Sequence, residues 1–536
     1  MASLHTRQGP LGKRLAAHLL RRTTFHFTPA RLAAFSLKSA GEAVEELFQL
    51  PAYVHPEGPI SVDDGVSAWL TTDPYDNRPD SGGVRQRSVR MWLYNELLHD
   101  TSIRHKMTFF WHAIFVSDVD EDWRMFDQWR LFQHYAVGNV KTLAYKVTLD
   151  CQMLRFLNNN VNRKSSPNEN YAREFLELFT ILKGEQIGSG NYTNYTEYDI
   201  QQAARVLTGF RDGNFDRKDP ETGFATGYAQ YYNHDPGNKK FSAAFNFHTI
   251  EGAVDEADMY RELQDFVDMV FSKDATAVSF VRRMYLYFVS DRLTEEVERD
   301  VIGPLAAQLK ADDYEVENTL KMLLASVHFF DEDDSDNTNE IIGGKIKPPL
   351  DLFFSSVNLF DANRLGVLNQ NYTYYDAAAY RLIIQTLAPM GMPDFPMSVE
   401  GYPGVFKGPA YSRFWFDQSN IAYRYKLPNA LKDGKGVTTN NAIPFKTDIV
   451  QFFTEHFTHQ EYASELVKQF LEMTLPEKPD PERFAYFLNV LLGGLSPINW
   501  MFEWQGYQQS GNDEAVKIAL TALFEAVTRS PEFNTF

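Results

Sequence analysis

Cysteine is nearly absent. Cys151 is the single one among 536 residues, which excludes an intramolecular disulfide framework and any thiolate zinc cluster. It sits in the apolar run LDCQMLRFL, a setting that reads as a small core side chain, with a nucleophile as the alternative. Positive charge is also scarce, since 52 Lys and Arg stand against 71 Asp and Glu, a net charge of -19. That balance argues against a nucleic-acid or anionic-membrane partner. No stretch approaches the roughly 18 apolar residues that a membrane span requires. The opening MASLHTRQGPLGKRLAAHLLRRTTFHF has no uninterrupted apolar segment, and Thr and His follow Arg21 and Arg22, so neither a signal peptide nor a twin-arginine signal is read there. A cytoplasmic protein is the default expectation, although low cysteine suits a bacterial envelope equally. HExxH, GxSxG, a Walker-type loop and the dinucleotide glycine fingerprint are all missing. No cofactor and no tightly bound metal are expected.

The composition is otherwise that of an ordinary folding chain, 44% hydrophobic and 23% charged, with aromatics raised to 14%. Forty-two Phe and 27 Tyr point to thick cores or stacking surfaces. Apolar residues recur at three- and four-residue steps over most of the chain, so the spacing predicts a mostly α protein. Helices are expected to begin near 12, 30, 41, 87, 101, 121, 139, 167, 197, 254, 274, 293, 314, 348, 376, 447, 460, 480 and 513. Two segments break the pattern. Residues 210–250 are rich in Gly, Asp, Asn and aromatics and read as turns with one or two hairpins. Residues 388–446 hold many Pro and Gly. The acidic run DEDDSDNTNE at 331–340 is a candidate lobe boundary within one large helical domain spanning 1–536.

The stretch SSPNENYAREFLELFT at 165–180 carries the first chemical question. Ser166, Pro167 and Glu169 have the spacing of an N-cap, a first helical position and a capping box. Beyond them, Tyr171, Phe175, Leu176 and Phe179 cover most of the circumference, so the helix is expected to be enclosed by protein. Asn170, Arg173, Glu174 and Glu177 form one narrow polar stripe at i, i+3, i+4, i+7. An Arg173–Glu177 pair would explain two of them. Glu174 then needs a partner or a function. In the next predicted helix Thr196 to Asp199 has capping-box spacing, and Gly209 suits the C-terminal cap. Arg205 leads into the irregular segment, where His234 and Asp235 suit proton transfer or metal ligation, with a plain turn as the alternative. His112 and His134 lie on apolar helices, where a packed core histidine is the simpler reading.

Taken in order, HLLRRTTFHFTPARL, MTFFWHAIF, HYAVGN, PNENYAREFLELFT, YTEYDIQQAARVLTGF, HDPGNKKF, GYPG and RFWF resemble the domain-of-unknown-function family 1800. The resemblance covers roughly 12–430. It implies a bacterial protein whose gene neighbours those of family 1501, themselves similar to alkaline phosphatases and sulfatases. The family string Trp-His-x-His-Phe is broken here by Ile114, which weakens any metal site built on two histidines.

Two functions are consistent with these residues. One is an enzyme of the hydrolase class, with Glu174 or Glu177 as acid or base, His234 and Asp235 assisting proton transfer, and Arg173, Arg205 and Asn170 holding substrate. Tyr402, Phe406 and Trp415 would then stack on a sugar-like substrate, or simply pack. The other is a non-catalytic binding partner of a family 1501 protein, the aromatic segment being its interface.

Overall fold

Helical periodicity becomes helix over most of the chain. The structure is a computed structural model that describes residues 2–51, 82–118, 122–333, 341–362, 383–392, 399–406, 408, 410–435 and 445–536. Helices open at Gly12, Pro29, Ala40, Arg104, Asp122, Val140, Glu197, Glu256, Asp274, Glu295, Val316, Pro349, Ile449, Ala463, Pro481 and Glu514, each within three residues of its expected start. The start expected near 376 and residues 334–340 of the acidic run lie outside the described residues. No described helix is long and apolar enough to cross a membrane.

Strand is confined, among the described residues, to three two-stranded antiparallel hairpins. Two fall in the irregular segment: Phe210–Arg211 with Tyr228–Ala229, and Lys239–Lys240 with Thr249–Ile250. The helix Glu197–Val206 starts with the expected capping box between Thr196 and Asp199. Asp199 has a second task, accepting from the Ser242 N–H and hydroxyl at 2.7 Å each, and so ties the helix start to the loop within the last hairpin. Gly209 takes a φ of +84°, and a Cβ there would press on the Gln230 carbonyl and His234, so glycine is required on two counts.

The core is rich in aromatic rings. Helix Arg104–Ile114 packs on Asp122–His134, and the latter is buried along its whole length up to Gln133, with Asp122, Arg124, Asp127, Gln128 and Arg130 inside. Those polar groups bond to one another and to neighbours: Gln128 donates to Asp150 at 2.9 Å, and the Ala225 N–H donates to Asp127 at 2.9 Å. Cys151 is buried, its thiol pushed up by that burial, in keeping with a core role.

Candidate functional site

The polar stripe lies on a helix that changes pitch. Five α-helical residues, Asn170–Glu174, run directly into a π-helical turn, Phe175–Phe179. Its closing bond is Thr180 N–H to the Phe175 carbonyl at 3.0 Å. π turns are uncommon and concentrate at functional sites. This one is held from outside: the buried Arg283 guanidinium donates to the carbonyls of Leu178, Phe179 and Thr180 at 3.0–3.1 Å.

The start of this helix differs from the expected one. Ser166 caps nothing and the helix begins at Asn170. The Asn162 side chain accepts from Asn168 N–H at 2.8 Å, and the Asn168 side chain accepts from Asn170 N–H at 2.9 Å. These side-chain turns satisfy the early donors in a non-helical path. Asn170, exposed, donates to the Leu157 carbonyl at 3.2 Å.

The ion pairing also departs from the local reading. Arg173 bonds to Glu169 and Glu197, not to Glu177. Glu177 instead pairs with Lys183 and accepts from the Tyr195 hydroxyl at 3.1 Å. The pitch change at Phe175 rotates Glu177 away from Arg173 and toward Lys183. Hydrogen bonding to Glu177 holds the Lys183 pKa above its usual value.

Glu174 is the unsatisfied member. Among the described residues its carboxyl makes no hydrogen bond and no ion pair. Burial, then the neighbouring Glu177 carboxylate, push its pKa from 4.5 up to about 7, against the pull of Arg173 and Lys183. Glu400 adds a smaller push. Glu400 belongs to the irregular 388–446 segment, and its neighbour Gly401, at φ +73°, packs against Ala113 and Val116.

His234 and Asp235 belong to a different cluster. His234 is fully buried; its Nδ1 meets the Thr208 carbonyl at 2.7 Å and its Nε2 meets Glu262 at 3.0 Å. Lys239, also fully buried, pairs with Glu262. Burial lowers the Lys239 pKa, with Glu262 opposing. Asp235 points elsewhere, accepting from Arg205 at 2.7 and 3.2 Å. Burial tends to raise the Asp235 carboxyl, but Arg205 and the Gly237 N–H hold it below its usual value. Arg205 lies eight residues beyond Glu197 on one helix, about 12 Å along its axis. The structure therefore separates the Glu174–Glu177 group from the His234–Asp235 group.

Trp415, at 2% exposure, packs against Tyr402 at a ring separation of 6.3 Å, and Gly404 leaves no space for a Cβ beside its indole. Protein thus packs against the Trp415 indole, while Phe406 is half-buried and meets Phe110 at a ring separation of 5.9 Å. His112 is buried against Trp129 at 4.5 Å, burial pushing its pKa down to about 4. Among the described residues the one group spaced to hold a metal ion is Asp361, Glu455 and His456, their ligand atoms within 4.8 Å of one another. The His456 ring already meets Asp361 at 2.6 Å. Glu262 and Arg283 carry no motif and escape sequence reading; the charge each brings to an apolar helix is the only local signal, whereas Lys239 lies in the HDPGNKKF string beside His234 and Asp235.

No curated protein and no solved structure matches the chain. Residues 18–535, nearly the whole chain, match the family described as "Protein of unknown function (DUF1800)", and the chain belongs to it.

Proposed function

We propose that the chain is a hydrolase that works by acid–base catalysis with the Glu174–Glu177 pair. One observation carries this: Glu174 is half-buried, lacks a hydrogen-bond partner among the described residues and titrates at about 7, three residues from a carboxylate paired with a lysine. A protonated and an ionised carboxyl side by side are what is needed to protonate a leaving group and to activate water. Glu174 gives the proton; Glu177, in contact with Lys183 and Tyr195, serves as the carboxylate. Arg173 is occupied by Glu169 and Glu197 and has no anion to hold. With Glu177 and Glu400 near the protonated Glu174, the field disfavours anionic substrates and favours a neutral, sugar-like one with a glycosidic bond. The test is hydrolysis of a panel of neutral aryl glycosides by wild type, Glu174→Gln and Glu177→Gln. Turnover lost by 100-fold or more in both variants, roughly the worth of a general acid or base, supports the reading. Equal turnover in Glu174→Gln and wild type removes Glu174 from it.

A second reading, a binding partner for a family 1501 protein, is favoured by a different observation. Leu495, Ile498 and Phe502 are 62%, 54% and 60% exposed near and along the helix Pro497–Ser510. Exposed apolar groups of this size in one place mark interaction surfaces. Sedimentation of the chain with a purified family 1501 protein tests it: co-sedimentation lost in Phe502→Asp supports a partner, and independent sedimentation removes it.

A further inference from the structure

Six basic side chains gather near the end of the Gly12–Thr23 helix, Arg21, Arg22, Lys106, Lys345, Lys347 and Arg424, each at most 4% exposed; Arg22 acts on Lys106 and Lys345, and Arg21, Arg22, Lys106 and Arg424 all act on Lys347. The Phe536 ring sits between Arg22 and Lys106, 4.9 and 5.5 Å from its centroid. Most of the donors go to backbone. Arg22 reaches the carbonyls of Val289 and Ile341 at 2.6 Å, Arg21 that of Met473 at 2.7 Å, Lys347 that of Phe533 at 2.7 Å, and Arg424 that of Lys347 at 2.7 Å. Such dipoles solvate a cation without neutralising it.

Neutralisation is incomplete. Among the described residues Lys106 pairs with Asp351, Lys345 lies 3.7 Å from Asp291, and Asp331 acts on Arg22 from farther out. Six cations thus face three carboxylates. With all six protonated the excess is three buried positive charges, which is costly unless something negative shares the space or the lysines lose protons, the direction in which burial pushes Lys106 and Lys347. A lysine can shed its proton in such a place; an arginine does so far less readily. The three arginines are also where donors are left over: Arg21 Nη1, Arg22 Nε and Arg424 Nη1 are buried with no hydrogen-bond partner. Orphaned guanidinium N–H groups are rare because each costs the full desolvation of the donor.

We propose that this cluster is the site of a small tetrahedral oxyanion of the phosphate or sulfate class, held by Arg21, Arg22 and Arg424 with Lys347 beside them. A guanidinium fork matches the oxygen edges of such an ion. A phosphate carrying close to two charges at neutral pH removes most of the excess. Because every cation is enclosed, the free inorganic ion fits the site better than an ester with a bulky alcohol. The inference is independent of the hydrolase reading, since none of these residues touches Glu174 or Glu177.

The test uses the full chain purified in chloride buffer. Its unfolding midpoint is followed against inorganic phosphate, sulfate and phenyl phosphate at constant ionic strength. A saturable rise of roughly 2 °C at 100 times the dissociation constant is expected for a protein of this size with phosphate or sulfate, and none with the ester. Arg21→Lys keeps the charge, removes the fork and should shift saturation to at least tenfold higher anion. Acid denaturation of protein prepared from cells should also release about one equivalent of phosphate or sulfate, a measurement that does not depend on any variant folding. A linear, unsaturating rise shared by wild type and Arg21→Lys is general salt exclusion and overturns the proposal. So does the absence of both a shift and a released ion, in which case the lysines relieve the excess by losing protons.

Discussion

Arg283 donates to the Phe179 carbonyl at 3.1 Å across 104 positions of sequence, and the same guanidinium holds Leu178 and Thr180. Burial lowers the Arg283 pKa to about 9, so it stays charged at neutral pH. Its role is to collect the carbonyls that the π turn leaves outside a regular helical ladder. Arg283→Met should strand them and lower stability by about 3 kcal/mol, several unmet acceptors at 1–3 kcal/mol each offset by local relaxation. Arg283→Lys should recover part of it, because an ammonium cannot reproduce the fork. Denaturant midpoints of the three proteins check this, and a loss under about 0.5 kcal/mol for Arg283→Met would remove Arg283 as the clamp.

The raised Glu174 carboxyl predicts a pH dependence with a definite sign. Its pKa rises on folding from 4.5 to about 7, so the folded chain binds the proton more tightly than the unfolded one. Below pH 4.5 both states are protonated and the group is neutral to stability. Between 4.5 and 7 stability falls as pH rises, and above 7 the whole penalty is present. Glu174→Gln should match wild type at the acid end and exceed it at pH 8 by about 1 kcal/mol, a figure discounted for solvent screening. Under the proposed chemistry turnover should also decline on the alkaline side of pH 7. A variant less stable than wild type at pH 8 would mean a structural role for Glu174.

Glu262 should behave in the opposite way. It is fully buried, meets His234 and Lys239 and accepts the Ala253 N–H at 2.8 Å. Glu262→Ala leaves Lys239 without its counter-charge and should cost about 3–5 kcal/mol. Lys239→Met alone should cost a comparable amount. The double variant should cost less than the sum, a coupling that a double-mutant cycle measures directly. Additive losses would show that the pair is not a unit.

Arg173 provides the contrast. Its pair with Glu197 is about a third exposed on each side, where solvent takes back most of the attraction. Glu197→Gln should change stability by less than about 1 kcal/mol. Thermal unfolding at low and high salt checks it; a loss above 2 kcal/mol that persists in high salt would place the pair in a drier setting than its exposure indicates.

Local patterns proved legible where their cause is local. The capping box at Thr196 and Asp199, the two hairpins inside 210–250 and the need for Gly209 all rest on residues a few positions apart. Among the described residues, several helices escape the periodicity argument, the four-residue Pro403–Phe406 among them. Cys151–Phe156 is a single short stretch after its cap, and Gly303–Ala311 continues directly from a π turn. Ile421–Asp433 carries Pro428 within it, and Pro497–Ser510 spreads Trp, Phe, Ile and Met around its whole circumference. The site was half legible. Glu174 and Glu177 stand out as charges on an apolar helix, but the π turn that turns them depends on Arg283, which no local pattern connects to them. His234 and Asp235 mislead because they are adjacent: His234 has extended backbone, φ -84° and ψ 147°, and successive side chains on an extended chain point opposite ways.

The turn at Phe175–Phe179 has one residue more than an α-helix of the same rise would use. Each α-helical residue advances the chain by about 100°, so removing a single residue between Phe175 and Phe179 would restore the regular ladder and swing the downstream side chains to another face. Glu177 would leave Lys183 and Tyr195, and the neighbouring carboxylate that helps raise Glu174 would go with it. In relatives of this chain the carboxylate pair should therefore come and go with a one-residue difference in length, even where both glutamates are kept.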